Sequence, residues 1–178
     1  MKPGETKIFG VVGWSGSGKT TLMQLLLPEL IGRGYTVSTM KHSHHSFDID
    51  KPGKDSYLHR QAGAHEVLIT GARRWALLHE NRDEPEPSID SLLAKMAPVD
   101  LVLIEGFKSH PHKKLEVYRP SVGKTLLAAA DDSIVAVASD EPLKQLAVPV
   151  LDLSNVHAIG DFIVGFCGLD GKAKNGAA

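Results

Sequence analysis

The octapeptide Gly13-Trp14-Ser15-Gly16-Ser17-Gly18-Lys19-Thr20 constrains this chain more than any other feature. It satisfies the pattern G-x-x-x-x-G-K-[ST]. It follows a short apolar run, Ile8 to Val12, and opens a segment in which Leu22, Leu25, Leu26, Leu30 and Ile31 recur at helical spacing. Strand, glycine loop and helix in that order bring backbone N–H groups and the positive end of a helix to one place. Glycines let the N–H groups converge on phosphate oxygens, Lys19 bridges β and γ phosphates, and Thr20 places a hydroxyl on Mg²⁺. Phosphate contacts are therefore expected from Gly13, Ser15, Gly16, Ser17, Gly18, Lys19, Thr20 and the adjoining Thr21.

The rest of the chain reads as alternating strands and helices. The first helix should stop near Gly32-Arg33-Gly34, with a second strand from Tyr35 to Met40. From Lys41 to Arg60 the pattern gives way to charges and histidines, which suggests a functional loop leading into a short helix around Ser56 to Ala62. His65 to Thr70 and Trp75 to His79 read as a hairpin about Gly71-Ala72, and Ser88 as the cap of a helix from Ile89 to Met96. Leu101 to Ile104, an unbroken aliphatic run between Asp100 and Glu105, suits the buried centre of a parallel sheet. Leu115 to Tyr118, Ile134 to Ala138 and Val148 to Leu151 add strands, and Val156 to Phe166 a last helix, before a small-residue tail, Gly168 to Ala178, expected to fray. The expected fold is α/β and P-loop NTPase-like: a mainly parallel sheet flanked by helices, with a β-hairpin extension, as one nucleotide-binding domain over residues 1–178.

Composition narrows the partners. A net charge of -1 offers no global attraction for nucleic acid or an anionic membrane, so neither is expected. The single cysteine, Cys167, permits no intrachain disulfide, and no run approaches the roughly 20 apolar residues of a membrane span. The opening residues Met1 to Lys7 lack a secretory apolar stretch, and a cytoplasmic location is the expectation.

A phosphate loop needs an acid near its metal, normally at the carboxyl end of a neighbouring buried strand. Glu105 fits. Asp100, roughly 16 Å away at the other end of the same run, does not. In the loop from Lys41 to Asp55, Asp48 and Asp50 could ligate Mg²⁺ or position water, while Lys41, Lys51 and Lys54 could meet phosphate or pterin phosphate and Pro52-Gly53 sets a turn. A solvated polar loop is the plainer alternative. His42, His44 and His45 could hold zinc or nickel, or hydrogen-bond to anions. Asp140, after the strand Ile134 to Ala138 at the edge where a ligand should lie, is the candidate reader of a nucleotide base, and its carboxylate could accept from the N1–H and 2-amino groups if that base is guanine. Asp152 is the alternative, and capping of a following helix is the competing role for Asp140. Trp75 belongs to a core or a dimer surface.

Taken together, several segments resemble one family. These are the phosphate loop with its Trp14; Lys41 to Ser56, reading KHSHHSFDIDKPGKDS; Ala62-Gly63-Ala64; Arg74-Trp75-Ala76-Leu77; Asp100 to Lys108, reading DLVLIEGFK; and Val137-Ala138-Ser139-Asp140. The family is that of molybdopterin-guanine dinucleotide biosynthesis protein B (MobB), and the long segment from Lys41 carries most of the likeness. The resemblance implies a homodimeric GTP-binding protein with weak GTPase activity. It would assist a partner guanylyltransferase that attaches GMP to molybdenum-bound molybdopterin. GTP and Mg²⁺ are the implied cofactors, and molybdopterin or its molybdenum form the pathway ligand. Lys19, Glu105 and Asp50 are the catalytic candidates. Thr20, Glu105 and Asp48 are the metal ligands, and Lys41, His42, Lys54, Asp55, Ser139 and Asp140 join the phosphate loop in binding. Two other functions compete: a small-molecule kinase using Arg73, Arg74 and Arg82 as a cationic clamp, and a nickel-delivering GTPase using the histidines.

Overall fold

The computed structural model describes residues 6–43, 47–144 and 146–170. The chain divides into two compact units: Met1–His42 with Pro98–Ala178, and Ser43–Ala97. The first unit holds β1 (Lys7–Val12), α1 (Lys19–Gly32), β2 (Val37–Lys41), β5 (Leu101–Glu105), β6 (Lys114–Tyr118), β7 (Ile134–Ser139), β8 (Val150–Asp152) and α4 (Val156–Cys167). The second holds α2 (Asp55–Gln61), β3 (Glu66–Gly71), β4 (Arg74–His79) and α3 (Ile89–Leu93).

In the first unit, six strands form a sheet in the order β2-β5-β1-β6-β7-β8, and every neighbouring pair is parallel. The aliphatic run of β5 lies between β1 and β2, where Leu101, Val102, Leu103 and Ile104 are all buried, as expected for a strand covered on both faces. Alternation divides the side chains between the faces. Phe9 and Val11 of β1, Leu101 and Leu103 of β5, and Leu115 and Val117 of β6 join Leu22, Leu26 and Leu30 of α1 and Ile159 and Ile163 of α4 in one core. The four-residue spacing of those helical positions supplies the apolar stripe.

The opposite face buries Val12, Val102, Ile104 and Val137 together with two charged side chains. Lys114 is fully buried, donating from Nζ to the carbonyls of Lys108 and His110 at 2.7 and 2.6 Å, with Asp131 at 3.2 Å. These bonds fix the segment that follows β5. Glu116, also fully buried, accepts the backbone N–H groups of Leu127 and Ala128 at 2.9 and 2.8 Å, anchoring a short 3-10 turn at Leu127–Ala129. Burial pushes the Glu116 carboxyl up despite those two bonds.

Several boundaries differ from the sequence expectation. Tyr35 precedes β2 and is buried, its hydroxyl donating to the carbonyl of Leu169, so packing rather than strand pairing holds it. The hairpin of the second unit turns at Ala72-Arg73, with Gly71 opposite Arg74 as its last pair. Ser88 does cap α3, its Oγ accepting from Ser91 N at 3.1 Å, but the helix ends at Leu93. β8 begins at Val150 rather than Val148. Residues 171–178 of the tail lie outside the described residues, as do His44 and His45.

Candidate functional site

The glycine loop emerges from β1 and enters α1 through Gly18, whose backbone is left-handed (φ 97°). Gly13 has φ 147°, and a Cβ there would collide with the carbonyl oxygen of Val117, so only glycine permits this path beside β6. A Cβ on Gly16 (φ 82°) would face open space, which leaves the loop mouth clear for a ligand. The Lys19 ammonium arches back across the loop and donates to the carbonyl of Trp14 at 2.8 Å. Burial lowers its pKa, partly offset by the nearby Glu105 carboxylate. A partly desolvated cation at the start of α1 fits a polyphosphate. Ser17 is buried, with no hydrogen-bond partner for its hydroxyl among the described residues.

Glu105 closes β5 at the carboxyl edge of the sheet. Thr20 Oγ1 donates to its Oε1 at 3.3 Å and Lys41 Nζ lies 3.5 Å from the same oxygen. A hydroxyl and a half-buried carboxylate at this separation suit a hard cation held with its water. Thr20 and Glu105 would ligate Mg²⁺, which would neutralise charge developing on a transferred phosphoryl group. Asp100 sits at the other end of β5, where its Oδ2 accepts from Thr36 N and Oγ1 at 3.0 and 2.9 Å. It ties β5 to the start of β2. His42 stacks on Phe107 with ring centroids 4.4 Å apart, next to Gly106 and so beside Glu105. Phe107 has φ 50°, a strained value for a non-glycine residue. Trp14 donates from its indole to the carbonyl of Thr125 at 2.7 Å and carries the Lys108 ammonium 4.2 Å from its ring centre.

A cavity of about 390 Å³ opens beyond β7 and β8, lined by Ser139, Asp140, Glu141, Leu143, Val150 and Asp152 among others. Both candidate base readers therefore face one space. No helix follows Asp140 among the described residues up to α4, so the capping role falls away; Ser139 Oγ instead accepts from Glu141 N at 3.2 Å. Asp152 accepts from Ser154 N and Oγ at 2.8 and 2.7 Å, which holds its carboxyl below the usual range. Asp140 Oδ2 accepts from Arg119 Nη1 at 2.5 Å, and Arg119 Nε donates to the carbonyl of Ser17 at 3.1 Å.

In the second unit, Asp48 and Asp50 both meet Arg60. Nη2 donates to Asp48 at 2.6 Å, Nε to Asp50 at 2.8 Å, and Nη1 to Glu80 at 2.7 Å. The Asp50 side chain is only 4% exposed and accepts from Ser56 as well, so in this structure these aspartates organise their own loop. Lys54 and Asp55 form the start of α2. Trp75 is 67% exposed, which assigns it to a surface rather than a core. Arg82 donates to the carbonyl of Ala64, and no group of three or more metal-ligating side chains occurs among the described residues. The sequence reading missed Arg119, Arg60, Lys114 and Glu116. Lone charged residues carry no periodic signal, although a lysine and a glutamate two positions apart in an apolar strand could have flagged buried charge.

A parallel sheet in this order, with a glycine loop between β1 and α1 and an acid ending the adjacent β5, defines a P-loop NTPase-like protein. Residues 8–140 match the family model for molybdopterin guanine dinucleotide synthesis protein B, MobB. The chain is 42% identical over 160 residues to a molybdopterin-guanine dinucleotide biosynthesis adapter protein of Escherichia coli K12, covering 88% of this chain and 91% of that one. It is likewise 42% identical over 159 residues to the adapter protein of Haemophilus influenzae, covering 88% and 86%. Among solved structures, a MobB homologue from Bacillus stearothermophilus superposes with a TM-score of 0.67 at 28% identity, over 91% of this chain and 98% of that one. A crystal structure of molybdopterin-guanine biosynthesis protein B gives 0.71 at 26%, over 89% and 99%. The chain belongs to the MobB family.

Proposed function

We propose that this protein is a GTP-binding adapter in molybdopterin-guanine dinucleotide biosynthesis, working beside the guanylyltransferase that joins GMP to molybdenum-bound molybdopterin. The observation that carries the reading is the junction of Lys19, Thr20 and Glu105 at one end of the sheet, in a chain whose relatives bear that adapter role in their names. Gly13 to Thr21 would hold the triphosphate, Thr20 and Glu105 the Mg²⁺, and Asp140 the guanine from the cavity beyond β7, with Asp152 as its alternative. Hydrolysis would be weak, and Asp48 and Asp50 are engaged by Arg60 within their own unit. Kinase and nickel-delivery activities are not favoured by the family relationship.

A homodimer is part of the proposal. Leu68 pairs with Leu77 and Thr70 with Trp75 across the hairpin, so Leu68, Leu77 and Trp75 share one face, and all three are exposed. The protein would act in the cytoplasm, and no helix among the described residues is long and apolar enough to cross a membrane. The test is titration of the purified protein with GTP, ATP and Mg²⁺, followed by capture of the guanylyltransferase with and without GTP. Preference for ATP, or no capture in either state, would overturn the reading. Sedimentation as a monomer at micromolar concentration would remove the dimer.

A further inference from the structure

We infer that Arg119 is a positioning residue that couples the base cavity to the phosphate loop, with Asp140 as its anchor; the inference rests on the nucleotide site proposed above. Arg119 follows β6, the strand between β1 and β7, and its guanidinium spans from one side of the site to the other. Nη1 is held by Asp140 at the lip of the cavity, and Nε donates to the carbonyl of Ser17 inside the loop. That carbonyl and the N–H of Gly18 belong to one peptide unit. In a trans peptide the two point in opposite directions, so a donor that fixes the Ser17 carbonyl outward aims the Gly18 N–H inward, at the cradle. The guanidinium also lies against Gly18, where a Cβ would stand 3.4 Å from Nε. Gly18 needs this hold: it is the left-handed residue at the start of α1, and its own side chain offers none.

The planar fork of arginine suits the task. Two separate nitrogens must point at once to a carboxylate and to a main-chain carbonyl, and a lysine ammonium on a flexible stem cannot keep both directions. Asp140 thereby gains a role independent of any base. By Coulomb's law alone, removing its negative charge near a bound polyphosphate would tighten binding of that anion. As an anchor for Arg119, its loss must instead weaken binding, because the Ser17–Gly18 peptide loses its brace. The two accounts predict opposite signs.

The probe is Mg²⁺ with inorganic tripolyphosphate, which carries no base, measured by calorimetry on the full chain. Lys19→Ala must weaken binding at least about 30-fold, which shows that the probe occupies the phosphate loop. Absence of binding to the unaltered protein, or binding indifferent to Lys19→Ala, would overturn the nucleotide-site reading and this inference with it. With that control met, Arg119→Ala is expected to weaken tripolyphosphate about tenfold, the scale of a hydrogen bond to a charged group, and Arg119→Lys to restore little of it. Asp140→Asn is expected to weaken it about threefold, and the double variant to bind no worse than Arg119→Ala, because both changes break one link. Tighter or unchanged binding by Asp140→Asn, or additive losses in the double variant, would overturn the coupling while leaving the nucleotide site intact. Asp140→Ser serves as the second anchor variant should Asp140→Asn lower the melting temperature, and the same outcomes apply to it.

Discussion

Substituting Lys19 by alanine should remove most nucleotide affinity without unfolding the protein, and the structure gives the scale. An ammonium about 3 Å from a phosphate oxygen gains about 5 kcal/mol per unit of charge at an effective dielectric of about 20. Binding does not gain all of this, because the Lys19 ammonium already donates to the carbonyl of Trp14 at 2.8 Å, and that bond competes with the phosphate for it. A hydrogen bond from a charged donor contributes about 1.5–3 kcal/mol. The difference, about 2–4 kcal/mol, corresponds to a loss of about 30- to 1000-fold in Kd for GTP with Mg²⁺. The fold should survive, since Lys19 lies in the first turn of α1 and the core positions of that helix are Leu22, Met23, Leu26 and Leu30. Calorimetric titration together with a thermal melt measures both quantities. A folded variant with GTP affinity within about threefold of the unaltered protein would refute the reasoning and remove the loop from phosphate binding.

Four further outcomes are expected. Glu105→Gln should keep GTP binding but lose most Mg²⁺-dependent hydrolysis, whereas Asp100→Asn, remote from the loop and still able to accept from Thr36, should leave turnover unchanged; phosphate-release assays would expose equal effects. Asp140→Asn should shift the preference from GTP toward xanthosine triphosphate, and an unchanged ratio in competition titrations would assign base reading elsewhere. Burial, reinforced by Lys114 and His110, depresses His112 to about 4, so the folded protein keeps it neutral while the unfolded chain protonates it near 6.5. Its contribution is therefore complete above about pH 6.5 and lost as pH falls toward 4; melting curves across that range should show a decline of up to about 3 kcal/mol that His112→Gln flattens. Gly10→Ala should destabilise the protein by about 1–3 kcal/mol in denaturant titration, because the added methyl would collide with the His112 ring and stand 2.6 Å from Lys114 Cβ.

Much of the architecture was legible in the chain because its signals are local. The motif at Gly13–Thr20 carries its own strand and helix, the run Leu101–Ile104 suits the buried interior of a parallel sheet, and the end of that run puts Glu105, not Asp100, beside Thr20. Glycine punctuation placed the end of α1 and the hairpin to within a residue or two. Boundaries drifted where tertiary packing overrode propensity, as at Tyr35, which looks like a strand residue and is instead held by a contact with Leu169.

The sequence by itself determined which residue types make up the glycine loop and in what order the strands and helices follow, since both depend on spacing along a few turns of chain. Only the tertiary structure decided which charges meet. Arg119 and Asp140 are 21 residues apart and Arg119 and Ser17 are 102 apart, yet one guanidinium touches both. Arg60 likewise gathers Asp48, Asp50 and Glu80, and so gives to a structural cluster two carboxylates that their sequence motif offers to a metal. The physical reason is that a hydrogen bond between side chains depends on positions within about 3 Å in space, and those positions are set by the order of strands in the sheet, not by separation along the chain.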